Sequence, residues 1–245
     1  MDTFNGQSLG SQKPEFGETN WEVKFVEGSN NITAVANSGN MTLRDETVIE
    51  VHFFNSAQPK SLLHNDKLCI NVGQSRTFFT DPLTSDYWIH DMPYREGFFG
   101  HINGRYHTVW NDMKAWEGIR EGIDAPIKGS KNDPLFQTFL VGIHNYRVDV
   151  PQGDYLVELL FTEPFSMEAR VNPAEKTGCD KNGERVFSVY VNELLIRQDM
   201  NLAKEYGEQQ AHIISAEISC HDGIRIHLIP KKGEPVLCGI KIRKL

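Results

Sequence analysis

The sequence predicts an all-β protein, and three observations carry that prediction. Short runs rich in Val, Ile, Phe and Tyr recur along the chain, turn-forming Gly, Asn, Asp and Pro punctuate them, and helix-period segments are scarce. In the first block the runs are Trp21–Val26, Ile32–Ala36 and Thr47–Phe53. Leu68–Val72, Phe136–Val141, Tyr146–Val150 and Tyr155–Phe161 follow. Pro151-Gln152-Gly153-Asp154 joins the last two, with Gly153 able to take a positive φ. Within Tyr155–Phe161 apolar residues occupy both parities, which predicts a strand buried on both faces. Val186–Val191, Leu194–Gln198, His212–Ile218, Ile224–Ile229 and Val236–Ile242 complete the set, and His221-Asp222-Gly223 reads as a tight turn. Met113–Arg120 and Met200–Tyr206 are weak helix candidates of two turns at most.

A boundary is expected near Asn55–Lys60, where Gln58-Pro59 reads as an extended connector. It separates a block at 1–56 from one at 57–245. Acidity concentrates in the first, which carries −5 of the net −8. Four or five strands in so short a block leave open edges and a thin core, so the chain is expected to begin partway through an immunoglobulin-like domain. The acidic balance disfavours a general nucleic-acid binder, and no basic amphipathic segment suggests a membrane surface. Apolar runs are too short for a membrane-spanning helix, and no cationic segment followed by an apolar core marks a secretory signal.

Motifs of catalysis and metal binding are sparse. Cys69, Cys179, Cys220 and Cys238 show no zinc-type spacing, and three of them lie in or beside strand-like runs, which reads as buried free thiols. A disulfide stays open at this level. No Gly-x-Ser-x-Gly elbow, His-Glu-x-x-His or phosphate loop occurs, and the histidines are dispersed. Asp91 and Glu163 are candidates for the carboxylate pair a glycosidase needs, and a hydrogen-bonded or solvated role is the better reading for both. No catalytic residue is assigned. Asn31-Ile32-Thr33 and Asn40-Met41-Thr42 match glycosylation triplets, which are frequent by chance.

The aromatic content is more informative. Tyr87, Trp88, Tyr94, Phe98, Phe99, Tyr106, Trp110 and Trp116 crowd one segment that reads poorly as regular strand. A sugar site needs such rings, because the C–H face of a pyranose packs on an aromatic face while a few polar groups fix the hydroxyls. Core packing is the competing role for each ring. The long polar loop Met167–Glu184 is either a specificity element or a passive insertion.

Two resemblances follow from these residues. Phe4-Asn5-Gly6-Gln7-Ser8-Leu9-Gly10, Trp21-Glu22-Val23-Lys24-Phe25 and Asn31-Ile32-Thr33-Ala34-Val35-Ala36 resemble the C-terminal immunoglobulin-like domain of glycoside hydrolase family 2 enzymes. Residues 62–245 resemble a malectin-like module, also called a family 57 carbohydrate-binding module. The matching stretches include Ile70-Asn71-Val72-Gly73, Trp88-Ile89-His90-Asp91, Gly97-Phe98-Phe99-Gly100 and Asp133-Pro134-Leu135-Phe136-Gln137-Thr138. Tyr155–Glu163, Arg185–Asn192 and Pro235–Ile240 continue the match. The resemblance implies a jelly-roll-like, galactose-binding-like β-sandwich behind a partial immunoglobulin-like one.

It also implies a sugar-binding role toward galactose- or glucose-type glycans, and a parent enzyme of β-galactosidase type. The partners implied are an oligosaccharide or polysaccharide and the parent's catalytic domain. Carried over by position, the site comprises Tyr87, Trp88, Asp91, Tyr106, Phe165 and Glu234. Two departures stand out: Ser166 occupies the family's second loop aromatic, and Gly233 occupies its acidic position, with Glu234 next door. Sandwiches of this kind often carry a structural calcium, for which Asp81, Asp86 or Asp199 are candidates without a calcium-loop spacing. Export to a polysaccharide-degrading compartment follows from the resemblance alone. The alternatives are a structural or oligomerisation module that binds no sugar, and a free-standing hydrolase.

Overall fold

The computed structural model describes residues 2–51, 66–76, 79–110, 119–165, 178–180 and 182–245. The chain divides into two units, Met1–Phe54 and Asn55–Leu245. The expected connector at Gln58-Pro59 and most of the loop Met167–Glu184 lie outside the described residues.

The first unit is a four-stranded antiparallel sheet of β1 (Asp2–Phe4), β2 (Gln7–Gly10), β3 (Gly28–Ser38) and β4 (Met41–Val51), in the order β2-β1-β3-β4. The expected strand Trp21–Val26 forms no ladder. Its residues are tied by side chains instead: the Trp21 indole donates to Asp2 at 2.9 Å, and the Val26 amide donates to Asn30 Oδ1 at 3.0 Å. Phe25 meets Phe4 edge to face, with centroids 5.5 Å apart. An aromatic run that finds such partners keeps its packing without joining the sheet.

The second unit is a β-sandwich, as the sequence predicts. Its strands are β5 (Lys67–Asn71), β6 (Phe79–Thr80), β7 (Tyr87–His90), β8 (Phe99–His101), β9 (Arg105–Tyr106), β10 (Thr108–Trp110), β11 (Ile119–Glu121) and β12 (Leu140–Val141). They continue as β13 (Asn145–Val148), β14 (Gly153–Phe161), β15 (Val186–Val191), β16 (Leu194–Met200), β17 (His212–Cys220), β18 (Ile224–Lys232), β19 (Val236–Leu237) and β20 (Gly239–Lys244). One large sheet runs β17-β14-β20-β5-β7-β6 and the other β16-β15-β18-β13-β8. Only the β5–β7 ladder is parallel among the described pairs. Phe161 of the first sheet touches Phe187 of the second, centroids 5.9 Å apart, so the core lies between the two. Strand β14 alternates until Leu159, Leu160 and Phe161, which are all buried.

A small sheet, β19-β12-β9, and an antiparallel β10–β11 pair complete the described strands of this unit. Three local expectations change here. Phe136–Val141 is not one strand: Pro134 at the first turn starts a short helix, α1 (Pro134–Gln137), and only Leu140–Val141 is extended. Val236–Ile242 breaks at Cys238, whose amide and carbonyl pair with Leu160 and Val72 rather than within either strand. Tyr87–His90 is a strand rather than a loop, hydrogen-bonded to β5 and β6. The helix expected in Met200–Tyr206 is present as α2 (Leu202–Glu205), capped by Asn201. In the other candidate, 113–118 lie outside the described residues and 119–120 belong to β11.

Candidate functional site

The short strand β9 organises the residues expected to bind sugar, and strand alternation sends them to two faces. On one face stands Tyr106, paired across the ladder with Leu140, which pairs with Leu237. Its ring meets His101 edge to face at 5.4 Å. His101 Nδ1 lies 3.2 Å from Asp91 Oδ2. Asp91 is the hub beneath: its Oδ1 accepts the Tyr146 hydroxyl at 2.7 Å and the Met92 amide at 2.8 Å, and its Oδ2 accepts the Gly73 amide at 3.3 Å. The Tyr146 bond crosses from the five-stranded sheet to the end of β7, so it also ties the two layers together.

Tyr106 is half-buried, and burial, followed by the charges of Asp91 and Glu121, pushes its hydroxyl far above the usual phenol range. It therefore stays a protonated donor at any working pH. Glu121 is held beside it by Ser75, whose amide donates at 2.8 Å and whose hydroxyl donates to the other oxygen. The face thus offers a ring, a phenolic donor and one anchored carboxylate, Glu121, while the buried Asp91 supports them from beneath.

Glu234 and Phe165 belong to the other face, with Arg105. Arg105 grips Glu234 with two bonds of 2.7 Å, and this fork holds the Glu234 carboxyl below its ordinary range. Arg185, fully buried, donates to the Glu234 carbonyl and to Glu163 Oε2 at 3.0 Å. Its guanidinium lies 5.9 Å from the Phe165 ring centre. Phe165 packs on Phe139 and on His107, and His107 stacks on Phe139 at 4.9 Å. Burial and the neighbouring Arg105 and Arg185 push His107 down to about 4.

The six residues expected from sequence therefore do not converge on one surface. Asp91 and Tyr106 come together, and Glu234 and Phe165 are linked through Arg185 on the opposite face. Tyr87 is half-buried in β7. Trp88 is 4% exposed, its ring against Gly239 where a Cβ would be crowded, and Phe165 is 2% exposed. Neither offers an open stacking face. Asp91 and Glu163, the candidate catalytic pair, are both occupied by internal partners. Sequence reasoning did not select Glu121, Ser75, Arg105 or His101. Only the β10–β11 register, with Thr108 opposite Glu121, brings Glu121 near Tyr106.

Each calcium candidate accepts from neighbouring donors. Asp81 accepts from Leu83, Thr84 and Asn132, Asp86 from Lys67 and Lys241, and Asp199 from Lys231. Among the described residues no group of three or more His, Cys, Asp or Glu side chains is placed to hold a metal. The four cysteines are free thiols, and Cys69, Cys220 and Cys238 are buried. No helix of the described residues is long and apolar enough to cross a membrane.

A two-layer β-sandwich with aromatic, hydroxyl and carboxylate groups brought together defines a carbohydrate-binding type of module. The family model described as "Malectin domain" matches residues 68–232, well over half of the chain, and the chain belongs to that family. Among solved structures, β-glucuronidase 2 of Bacteroides uniformis is similar over 100% of this chain, with 28% identity and a TM-score of 0.75. A second Bacteroides uniformis β-glucuronidase structure gives 29% identity and a TM-score of 0.74, again over 100% of this chain. This chain spans only 25% and 26% of those two proteins. No curated protein matches. The two-part resemblance read from the sequence, a malectin-like module behind a segment of a family 2 glycoside hydrolase, is borne out.

Proposed function

We propose that the second unit is a non-catalytic carbohydrate-binding region of a glycoside hydrolase, and that it takes a galactose- or glucose-type glycan against Tyr106. The observation that carries this reading is the Tyr106 surface itself. A half-buried ring stands over the buried Asp91 and beside Glu121, which Ser75 holds in place, so donor, acceptor and apolar face need no rearrangement to meet a sugar. The sugar's C–H face would lie on the ring while its hydroxyls donate to Glu121 and accept from the phenol.

The test is calorimetric titration with gluco- and galacto-oligosaccharides. Tyr106→Ala is expected to weaken binding tenfold or more, and Tyr106→Phe to retain most of it. Unchanged affinity in Tyr106→Ala would move the site elsewhere. The partner of this module would be the catalytic domain of the parent hydrolase; this chain's likeness to β-glucuronidase structures and its sequence resemblance to β-galactosidase-type enzymes point to two activities for that parent. Turnover of nitrophenyl glucuronide against nitrophenyl galactoside by the full-length parent separates them.

A structural module is the second reading, favoured by Trp88, Phe165 and Asp91. These expected ligand residues instead pack and hydrogen-bond inside the unit.

A further inference from the structure

The outer face of the five-stranded sheet carries a feature the Tyr106 surface does not explain. Registered pairing sets Leu195, Tyr190, His227 and Asn145 side by side across β16, β15, β18 and β13. Directly opposed residues share a face. Alternation confirms which one, since Val189, Val191, Ile226 and Leu228 point into the core while Tyr190 and His227 are half-buried. At strand spacing the row is roughly 14 Å long. A cavity of about 360 Å³ lies over its Tyr190, His227 and Asn145 members, bounded also by His144, Asn192 and Ile229. That volume is within the roughly 300–1,000 Å³ range of small-molecule sites.

The polar groups of this cavity are set in complementary roles. His227 Nδ1 lies 2.6 Å from Asn145 Oδ1, an acceptor, so Nδ1 donates, which in the neutral imidazole leaves Nε2 as an acceptor. That bond leaves the Asn145 amide nitrogen as a donor. Asn192 Oδ1 accepts the Arg225 amide at 2.9 Å, which leaves the Asn192 NH₂ as a second donor. Ile229, 53% exposed, supplies an apolar wall beside the Tyr190 ring. The charges flanking the face are spent on one another: Arg147 on Asp149 at 2.7 Å, Arg225 on Asp222, and Lys231 on Asp199. A site with one phenol ring, two amide donors, two imidazoles and no Asp, Glu, Lys or Arg in its lining suits a neutral polyhydroxylated ring rather than a phosphate or a peptide carboxylate.

We propose that this cavity is a second sugar site, in which Tyr190 stacks a neutral hexopyranose and His227, Asn145 and Asn192 hydrogen-bond its hydroxyls. With two sites on one module, a glycan long enough to reach both gains avidity without tighter contacts at either.

The test is a ¹H–¹³C spectrum of the aromatic rings of the whole chain, titrated with maltotetraose and with β-1,4-galactotetraose. Saturable shifts of the Tyr190 and His227 rings with one of these are expected, weakened tenfold or more by Tyr190→Ala. Asn145→Ala is the second variant should Tyr190→Ala disturb folding, and it is expected to weaken the same shifts. Shifts confined to Tyr106 and His101 would overturn this proposal and leave the Tyr106 site standing. Shifts confined to Tyr190 and His227 would do the reverse. Rings unmoved by either sugar would overturn both.

Discussion

Arg185 has no exposed side-chain surface, and Glu163, 1% exposed, answers it at 3.0 Å. A buried pair of this kind is costly to break from one side, because the remaining charge is stranded in a medium that cannot solvate it. Glu163→Gln is expected to destabilise the chain by roughly 3–5 kcal/mol in urea unfolding. Changing both residues to apolar ones of similar volume is expected to recover much of that loss. His107 provides a residue-scale pH prediction. Its imidazole titrates at about 4 in the folded chain and near 6.5 when unfolded, so between those values the unfolded state binds more protons. Its contribution is complete above about pH 6.5 and is lost as pH falls toward 4, by about 2–3 kcal/mol. A His107→Phe variant whose stability fell just as steeply across that window would contradict the assignment. At this scale the sequence was only partly legible. Tyr106 and Asp91 were recognisable from aromatic density and family position. Their partners Glu121, His101 and Ser75 were not, because ladder register and a tertiary hydrogen bond, rather than spacing, bring them close.

Elements were more legible wherever β-branched and aromatic residues ran on for five or more positions, as in Val186–Val191 and Tyr155–Phe161. Such runs have one way to bury themselves in a sandwich. The failures were local competitions. Asp133-Pro134 favours a helix start over a strand continuation, and Cys238 takes partners from β14 and from Val72 just past β5. Tyr87–His90 belongs to an aromatic-rich segment that reads poorly as regular strand, yet Trp88 and Ile89 are both buried in a strand paired with β5 and β6. Gly73 shows how tightly these elements are joined. With φ +81°, it leaves no room for a Cβ against the Phe139 backbone, while its amide donates to Asp91. Gly73→Ala is expected to destabilise by well over the ~1 kcal/mol of an ordinary glycine replacement and to lower the melting temperature accordingly. A melting temperature equal to that of the native sequence would show that the junction yields more easily than its geometry implies.

For the molecule as a whole, composition and strand spacing were enough to reach the all-β class, and the malectin-like motifs were enough to reach the family. What they did not reach is how the expected ligand residues are shared between core and surface. Burial depends on which sheet closes over which strand, and the β19-β12-β9 sheet that divides the site into two faces is built from residues far apart in sequence. The central claim, that this chain binds sugar, needs only the intact protein. Its tryptophans, Trp21, Trp88, Trp110 and Trp116, give an intrinsic fluorescence signal. Titrated with a panel of gluco- and galacto-oligosaccharides, that signal is expected to shift saturably with one sugar class and to lose the response in Tyr106→Ala. A flat response across the panel from protein shown to be folded would contradict the account and leave a structural module.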